Sequence, residues 1–149
     1  MTIDIVALDP GTTTGVAIYG DEGYRALEIK PDTYPHAHES LYDLLCSLDP
    51  KIVVYEKFLF RQSQTGVVFR GVEYIGVIEL YAQLHYKEVY KISPSDGKAF
   101  WDNKKIRALD LWVASSPHAM DATRILLTHR MRTEPQFKED ILQILKHKL

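Results

Sequence analysis

The sequence predicts an α/β fold: a five-stranded mixed sheet, three antiparallel strands followed by parallel crossovers, with helices on both faces. Two apolar, β-branched-rich runs and then the run YRALEIK follow one another over residues 3–30, which favours an antiparallel meander. Two later apolar runs each follow a segment of helical periodicity, which is typical of parallel crossovers. A chain of 149 residues with 46% hydrophobic residues can bury one sizeable core. We therefore expect a single domain over residues 1–149.

The first half of the chain supplies four of the five expected strands. The first three are expected at 3–9, 14–19 and 24–30, with turns at PGT and GDEG. Four leucines between positions 41 and 48 repeat at the spacing of an amphipathic helix, which Pro50 ends. The run KIVVYEKF that follows is continuously apolar before its charged end, which predicts a strand buried on both faces.

The second half is expected to add one strand and four helices. The expected elements are a helix from about Gly66 to His85, a strand at KEVYKI, and helices at about Asn103 to Ala114, Pro117 to Met131 and Glu134 to Lys148. The segment SPSDG is interpreted as the stop after the last strand.

The helix predicted from Gly66 is apolar on more than one side. Its main stripe comprises Val68, Val72, Ile75, Ile78 and Ala82, and a second side comprises Phe69, Tyr74, Val77 and Tyr81. A partner subunit or the C-terminal helices could cover the second side. Gly71 and Gly76 each cost about 1 kcal/mol relative to Ala, so we attribute both to close packing or to a close approach of the backbone.

The formal net charge of −2 conceals an asymmetry. Residues 1–50 carry nine acidic and two basic side chains, whereas 51–149 carry eleven acidic and sixteen basic ones. This split is compatible with a nucleic-acid surface, and an ordinary solvated surface is an equal alternative. The one cysteine, Cys46, lies among leucines and is expected in the core of a cytoplasmic protein. No apolar run approaches the roughly 18 residues of a membrane span, so no membrane association is expected.

Four side chains form a candidate site. Asp9 ends the first predicted strand, and Glu56 ends the run KIVVYE. His118 and Asp121 lie three residues apart, on one face at the start of a predicted helix. Such strand ends and a helix start can converge, and carboxylates suit Mg²⁺, two ions of which can serve a phosphodiester displacement. An imidazole suits Mn²⁺ somewhat better, or could carry a proton.

Each of these residues also has a purely structural interpretation. Asp9 could form a turn, Glu56 could end a strand in solvent, and His118 could cap its helix. Asp121 could pair with Arg124 on the helix surface. The combination nevertheless favours a site, because an unpaired carboxylate next to a buried strand is costly.

These residues resemble the RuvC-type Holliday-junction resolvases of the RNase H-like superfamily, particularly the short bacteriophage forms. The matching segments cover most of the chain: ALDPGTTTGVAIY, VVYEKF, GVVFRGVEYIGVIE, YKISPSDGKAFWDNKKIRALDLW and HAMDATRILLTHRM. The resemblance implies an RNase H-like fold. It also implies a homodimeric, metal-dependent endonuclease that resolves four-way DNA junctions by paired phosphodiester hydrolysis.

The same resemblance implies roles for individual residues. Asp9, Glu56, His118 and Asp121 would hold two Mg²⁺ ions, with Mn²⁺ as the alternative because many members have Asp at the position of His118. The implied DNA contacts are Thr12, Phe58, Phe60, Arg61, Lys98, Lys104, Lys105 and Arg107. Lys105 is our choice for the lysine that steadies the scissile phosphate.

Structural alternatives stand beside several of these DNA contacts. Phe58 could instead pack in the core, and the lysines could belong to a solvated helix face. Gly11 and Gly15 are expected to give the hairpin positive φ angles. The threonines between them could bind phosphate or satisfy the turn.

Three rival functions remain open from the sequence. DPGTTTG also resembles the phosphate loop of actin and sugar kinases, but 149 residues are too few for two such domains, so no nucleotide cofactor is expected. A nuclease for flaps, forks or RNA would share the same acids. A junction-binding module without catalysis is the third possibility, and the complete acidic set argues against it.

Overall fold

The computed structural model describes residues 1–59, 69–113 and 116–149. Its strands are β1 (Ile3–Asp9), β2 (Thr14–Gly20), β3 (Gly23–Ile29), β4 (Ile52–Glu56) and β5 (Glu88–Ile92). Its helices are α1 (Ala37–Leu48), α2 (Arg70–Leu84), α3 (Pro94–Phe100), α4 (Asn103–Ala108), α5 (Pro117–Thr133) and α6 (Pro135–Lys148), with a 3₁₀ turn at Pro31–Thr33. None of the helices in these ranges is long and apolar enough to cross a membrane.

The five strands form one mixed sheet in the order β3-β2-β1-β4-β5. β1, β2 and β3 pair antiparallel, whereas β4 pairs parallel with both β1 and β5. The predicted fold class is confirmed.

Alternate side chains of the central strands enter two apolar cores, one on each face of the sheet. On β1, Ile5 and Ala7 face the core that contains α5 and α6, while Val6 and Leu8 face the core that contains α1 and α2. This period of two is the geometry of a pleated strand. Because helices cover both faces, the central strands are apolar on both sides, as the sequence indicated.

The segment after β5 stops the strand as predicted, but it also opens a helix that the sequence did not predict. β5 ends at Ile92, Ser93 is the N-cap of α3, and Pro94 lies in the first turn of α3, where a missing N–H costs nothing. The helix predicted for 103–114 ends at Ala108, and Asp110 has a φ of 59°; Ala114 lies outside the described residues. Helices of six and seven residues are too short for apolar periodicity to identify.

The buried face of α2 agrees with the prediction only in part. Ile78 and Ala82 of the predicted main stripe are buried, but Val72 is 43% exposed. Tyr74 and Tyr81 of the second side are also buried, against α1 and the sheet. The second apolar side therefore faces the sheet and α1 instead of the C-terminal helices, since periodicity cannot tell which of two apolar stripes is covered. The N-terminal end of the predicted helix, 66–68, lies outside the described residues.

Cys46 is exposed, so the prediction of a core cysteine is wrong. It lies on the outer side of α1, with Sγ 3.7 Å from His85 Nε2. Leu41 and Leu45 fill the core from the other side of the same helix. Neighbouring leucines in sequence do not place a helical residue on their own face.

Candidate active site

Two acids of the predicted site lie at the same edge of the sheet. Asp9 ends β1 and Glu56 ends β4, and the parallel register that pairs Leu8 with Tyr55 brings the two acids next to each other. Both line a cleft of about 210 Å³, together with Phe58. The convergence of these two strand ends follows directly from the parallel pairing of β1 with β4.

The other two predicted residues enter from the first turns of α5. Ser116 caps this helix by accepting a hydrogen bond from the Ala119 N–H at 3.1 Å. His118 Nδ1 then lies 3.3 Å from Asp9 Oδ2. The cap is thus Ser116, and His118 is directed at the first acid.

Gly15 explains how α5 comes so close to the hairpin. It faces Asp9 across the β1–β2 pair, and a Cβ built on it would lie 1.8 Å from the carbonyl oxygen of His118. Only a residue without a side chain allows that approach. The predicted positive φ at Gly11 and Gly15 is wrong: among the described glycines, Gly23 alone has one.

The hairpin turn is stabilised from within. The Thr14 hydroxyl is buried, donates to the Gly11 carbonyl at 2.8 Å and accepts from the Gly11 N–H at 3.3 Å. Thr12 is exposed, and its contact with DNA stays a prediction.

A Cβ on Gly71 would lie 2.8 Å from the Pro10 carbonyl oxygen, which confirms the close packing predicted for Gly71. Gly76 has open space around it, and the close packing predicted for Gly76 is therefore wrong.

The pKa values of both carboxyl groups at the sheet edge are raised, chiefly by burial. Burial, followed by the charge of Asp9, raises the pKa of Glu56 to about 7. Burial, followed by the charge of Asp121, raises the pKa of Asp9, and a hydrogen bond to His118 partly offsets this. Lys98 lowers the pKa of both acids. Clustered carboxylates with raised pKa values are the environment that a divalent cation stabilises, so the donor set fits Mg²⁺ or Mn²⁺.

Asp121 differs from the strand acids because cations already hold it. Arg124 Nη1 donates to its Oδ1 at 2.7 Å, and Lys98 Nζ lies 4.0 Å from its Oδ2. In the described parts of the chain, no three His, Cys, Asp or Glu side chains are gathered into a ready-made metal site. The structure thus shows an Asp9–His118 pair and, nearby, a cation-bound Asp121.

The predicted basic residues occupy different places. Lys98 is the lysine that reaches an acid of the site. Lys105 donates to the Phe100 carbonyl at 2.7 Å and lies over the Phe100 ring. Lys104 is exposed and lines an adjacent groove, and Arg107 stacks on Trp112 at 4.2 Å. Phe60 and Arg61 lie outside the described residues, so their roles stay predictions.

Phe58 lies at the rim of the cleft instead of in the core. It is 38% exposed and meets the Phe69 ring edge to face, with 5.4 Å between ring centroids. An aromatic ring held beside two acids and partly open to solvent is available to stack on a base.

Sequence reasoning did not assign a functional role to Arg124. The sequence suggests Arg124 only as a surface ion-pair partner of Asp121, from their i, i+3 spacing. The contacts of Arg124 with Trp101, which follows α3, and with Asn103 of α4 depend on α3, a helix that the sequence does not predict.

Comparison with known proteins gives matches among solved structures alone. No protein-family model matches the chain, and no curated protein matches it. T. thermophilus RuvC, solved in complex with a Holliday junction substrate, superposes with a TM-score of 0.65 at 22% identity, covering 90% of this chain and 97% of that one.

Two further structures are similar. Fowlpox virus resolvase, in complex with Holliday junction DNA, gives a TM-score of 0.58 at 15% identity and covers 84% of this chain and 97% of its own. The yeast mitochondrial Holliday junction resolvase gives a TM-score of 0.53 at 15% identity and covers 98% of this chain and 85% of its own. The chain therefore has the RNase H-like fold that RuvC shares with these Holliday junction resolvases.

Proposed function

We propose that this protein is a metal-dependent endonuclease that resolves four-way DNA junctions. The observation that carries the proposal is the convergence of Asp9 and Glu56 at one sheet edge with His118 and Asp121 of α5, in a fold shared with junction resolvases. The proposed location is the cytoplasm of a bacterial or phage-infected cell, where branched DNA arises and no disulfide is needed.

Asp9, Glu56, His118 and Asp121 would hold the metal, two Mg²⁺ ions or Mn²⁺ ions. When bound, the ions would supply Lewis acidity and a water of lowered pKa for phosphodiester hydrolysis. The two strand acids are fixed by the sheet, so they define the position of the site. His118, half-exposed and with Nδ1 towards Asp9, can act as a ligand or carry a proton.

The remaining roles concern DNA. Lys98, whose Nζ lies 4.0 Å from Asp121 Oδ2, and Lys104 line the same groove. Both would contact backbone phosphates, which would supply most of the salt-dependent affinity. Phe58 borders the strand acids and would stack on a base at the branch point. These contacts would bind and orient the substrate beside the acidic cluster.

The test is digestion of end-labelled substrates side by side, with Mg²⁺ and with Mn²⁺. The substrates are a four-way junction, a fork, a flap, a linear duplex and an RNA/DNA hybrid. Paired cuts in the four-way junction, absent from the linear duplex, are expected. Preference for the flap or fork would point to a broader branched-DNA nuclease, and exclusive RNA cleavage would contradict the proposal.

Paired cutting requires two sites, and we propose a homodimer. Val72, Leu80 and Leu84 recur four or eight residues apart along α2 and are 43%, 52% and 58% exposed. Such a stripe suits burial against a second copy.

Light scattering of the wild type and of Leu80→Lys tests the dimer. Leu142→Lys serves as control, because Leu142 is a similarly exposed leucine on α6. The wild type and Leu142→Lys are expected to be dimers, and Leu80→Lys is expected to be a monomer. A wild-type monomer that persists with bound junction would contradict paired resolution.

A further inference from the structure

Arg124 ties Asp121 to the junction between α3 and α4. Its Nη1 donates to Asp121 Oδ1 at 2.7 Å, its Nε to the Trp101 carbonyl at 2.9 Å, and its Nη2 to Asn103 Oδ1 at 2.5 Å. The side chain is 13% exposed, and a Cβ on Gly97 would lie 3.4 Å from its Cβ. The guanidinium is therefore fixed at three acceptors, one of which is the Asp121 carboxylate.

Both oxygens of the Asp121 carboxylate face cations. Arg124 holds Oδ1, and Lys98 Nζ lies 4.0 Å from Oδ2. A carboxylate that is hydrogen-bonded to a guanidinium is a poorer ligand for a divalent cation, because the two cations compete for the same charge.

The same two cations border an open groove of about 530 Å³. Its lining is formed by Lys98, Trp101, Asp102, Asn103, Lys104 and Arg124. Three of these side chains are basic, and two of them, Lys98 and Arg124, contact Asp121. An Arg fork and two ammonium groups suit a phosphodiester anion. A phosphate in this groove would compete with Asp121 for both Arg124 and Lys98.

We propose that Arg124 is a positioning residue that holds Asp121 away from metal until a DNA backbone phosphate enters this groove. The phosphate takes over Arg124 and Lys98, and the released carboxylate joins Asp9 and Glu56 as a metal ligand. DNA and metal then bind cooperatively, and by linkage each raises the affinity for the other by the same factor. The inference rests on the proposed function and adds a mechanism by which substrate assembles the site.

The first test measures binding of Mn²⁺ to the DNA-free protein by electron paramagnetic resonance. Arg124→Gln should bind Mn²⁺ about tenfold more tightly than the wild type, the size of one charged hydrogen bond. Arg124→Lys keeps the charge beside Asp121 and should stay near the wild-type affinity. Arg132→Gln is the matched control, since it removes the same charge from α5 at a surface pair with Asp96.

The second test measures coupling with a labelled four-way junction. Its dissociation constant is determined by fluorescence anisotropy in EDTA and in Ca²⁺, with a gel to verify that the junction stays intact. Ca²⁺ should tighten binding by the wild type several-fold. In Arg124→Gln, the ratio of the two constants should fall towards one, even though the lost phosphate contact weakens binding in both buffers.

The outcomes separate this inference from the proposed nuclease. Equal or weaker Mn²⁺ binding by Arg124→Gln overturns the inference and leaves the nuclease proposal standing. Tighter Mn²⁺ binding by both Arg124→Gln and Arg124→Lys also overturns it, because the effect would then come from altered packing. If the Mn²⁺ affinities are as expected but no branched DNA is cleaved, the nuclease proposal is contradicted, whereas the proposal that Arg124 holds Asp121 away from metal is supported.

Discussion

The strand-borne and helix-borne acids of the site are held in different ways. Glu56 ends β4, its charge is opposed by burial and by Asp9, and its pKa rises to about 7. Asp121 lies one turn into α5 and already has Arg124 and Lys98 as partners. The sheet fixes the position of acids that repel one another, whereas the helix supplies an acid whose charge is neutralised. This contrast underlies our proposal that the site is positioned in advance by the sheet and completed when DNA and metal bind.

The largest effect on stability is expected from a substitution that separates the helix-borne residues from the strand acids. Gly15→Ala places a methyl group against the His118 carbonyl, so α5 must move away from the hairpin while β1 and β4 stay paired. We expect a loss of about 3 kcal/mol in the free energy of unfolding by urea, and loss of junction cleavage. Gly76→Ala is the control: its Cβ meets open space, and it should be neutral or stabilising by up to about 1 kcal/mol. Wild-type stability in Gly15→Ala would show that α5 is not seated on the hairpin.

Removing one acid of each kind should change stability in opposite directions. Metal-free Glu56→Gln at pH 8 should be more stable than the wild type, because a buried and repelled charge is gone. Asp121→Asn should be less stable by about 2 kcal/mol, because Arg124 loses its anionic partner. Urea unfolding in EDTA measures both. Changes of the same sign would refute the distinction between the two kinds of acid.

Removing the aromatic ring of Phe58, which follows β4, should weaken DNA binding without changing the four site residues. Phe58→Ala is expected to cost about 1 kcal/mol of junction affinity through lost base stacking, measured by anisotropy in EDTA. Leu59→Ala, which shortens the exposed neighbouring side chain, is the control. If Phe58→Ala binds the junction as the wild type does, Phe58 has a packing role against Phe69 alone.

The smallest effect is expected at the far end of α5, where a pH dependence can be assigned to one group. Burial of His129 beside the Tyr90 ring lowers its pKa, although Glu134 and Glu88 oppose this and Arg132 adds to it. The unfolded chain therefore takes up a proton first, and stability falls as the pH drops through the unfolded pKa of about 6.5. Between pH 7 and pH 5, His129→Gln should lose less stability than the wild type in urea unfolding. Parallel profiles would show that His129 titrates normally.

The sheet and its two strand acids could be predicted from the sequence because both depend on local patterns. Apolar runs identify β1 and β4, and the last residue of each run is Asp9 or Glu56. The HxxD spacing likewise places His118 and Asp121 on one face of α5. These features need no knowledge of long-range packing.

The parts that could not be predicted depend on contacts between distant segments. The role of Gly15 requires the position of the His118 backbone, and the anchoring of Arg124 requires α3, which is too short for a periodic pattern. The contact of Lys105 with the Phe100 carbonyl and the approach of Lys98 to Asp121 also depend on the position of α3, and the role of Lys105 at the scissile phosphate stays a prediction. The sequence offered Asp121 as either a site acid or a partner of Arg124. The structure shows the pair with Arg124, and the role as a site acid stays a proposal.

The most direct test of the central claim compares the wild type with Glu56→Gln on one labelled four-way junction in Mg²⁺. The account predicts paired cuts by the wild type and a rate at least about 100-fold lower in Glu56→Gln. Junction binding in EDTA should be unchanged within about threefold, because the phosphate contacts supply most of the affinity. Cleavage by Glu56→Gln at the wild-type rate would contradict the assignment of the acidic cluster as the catalytic site.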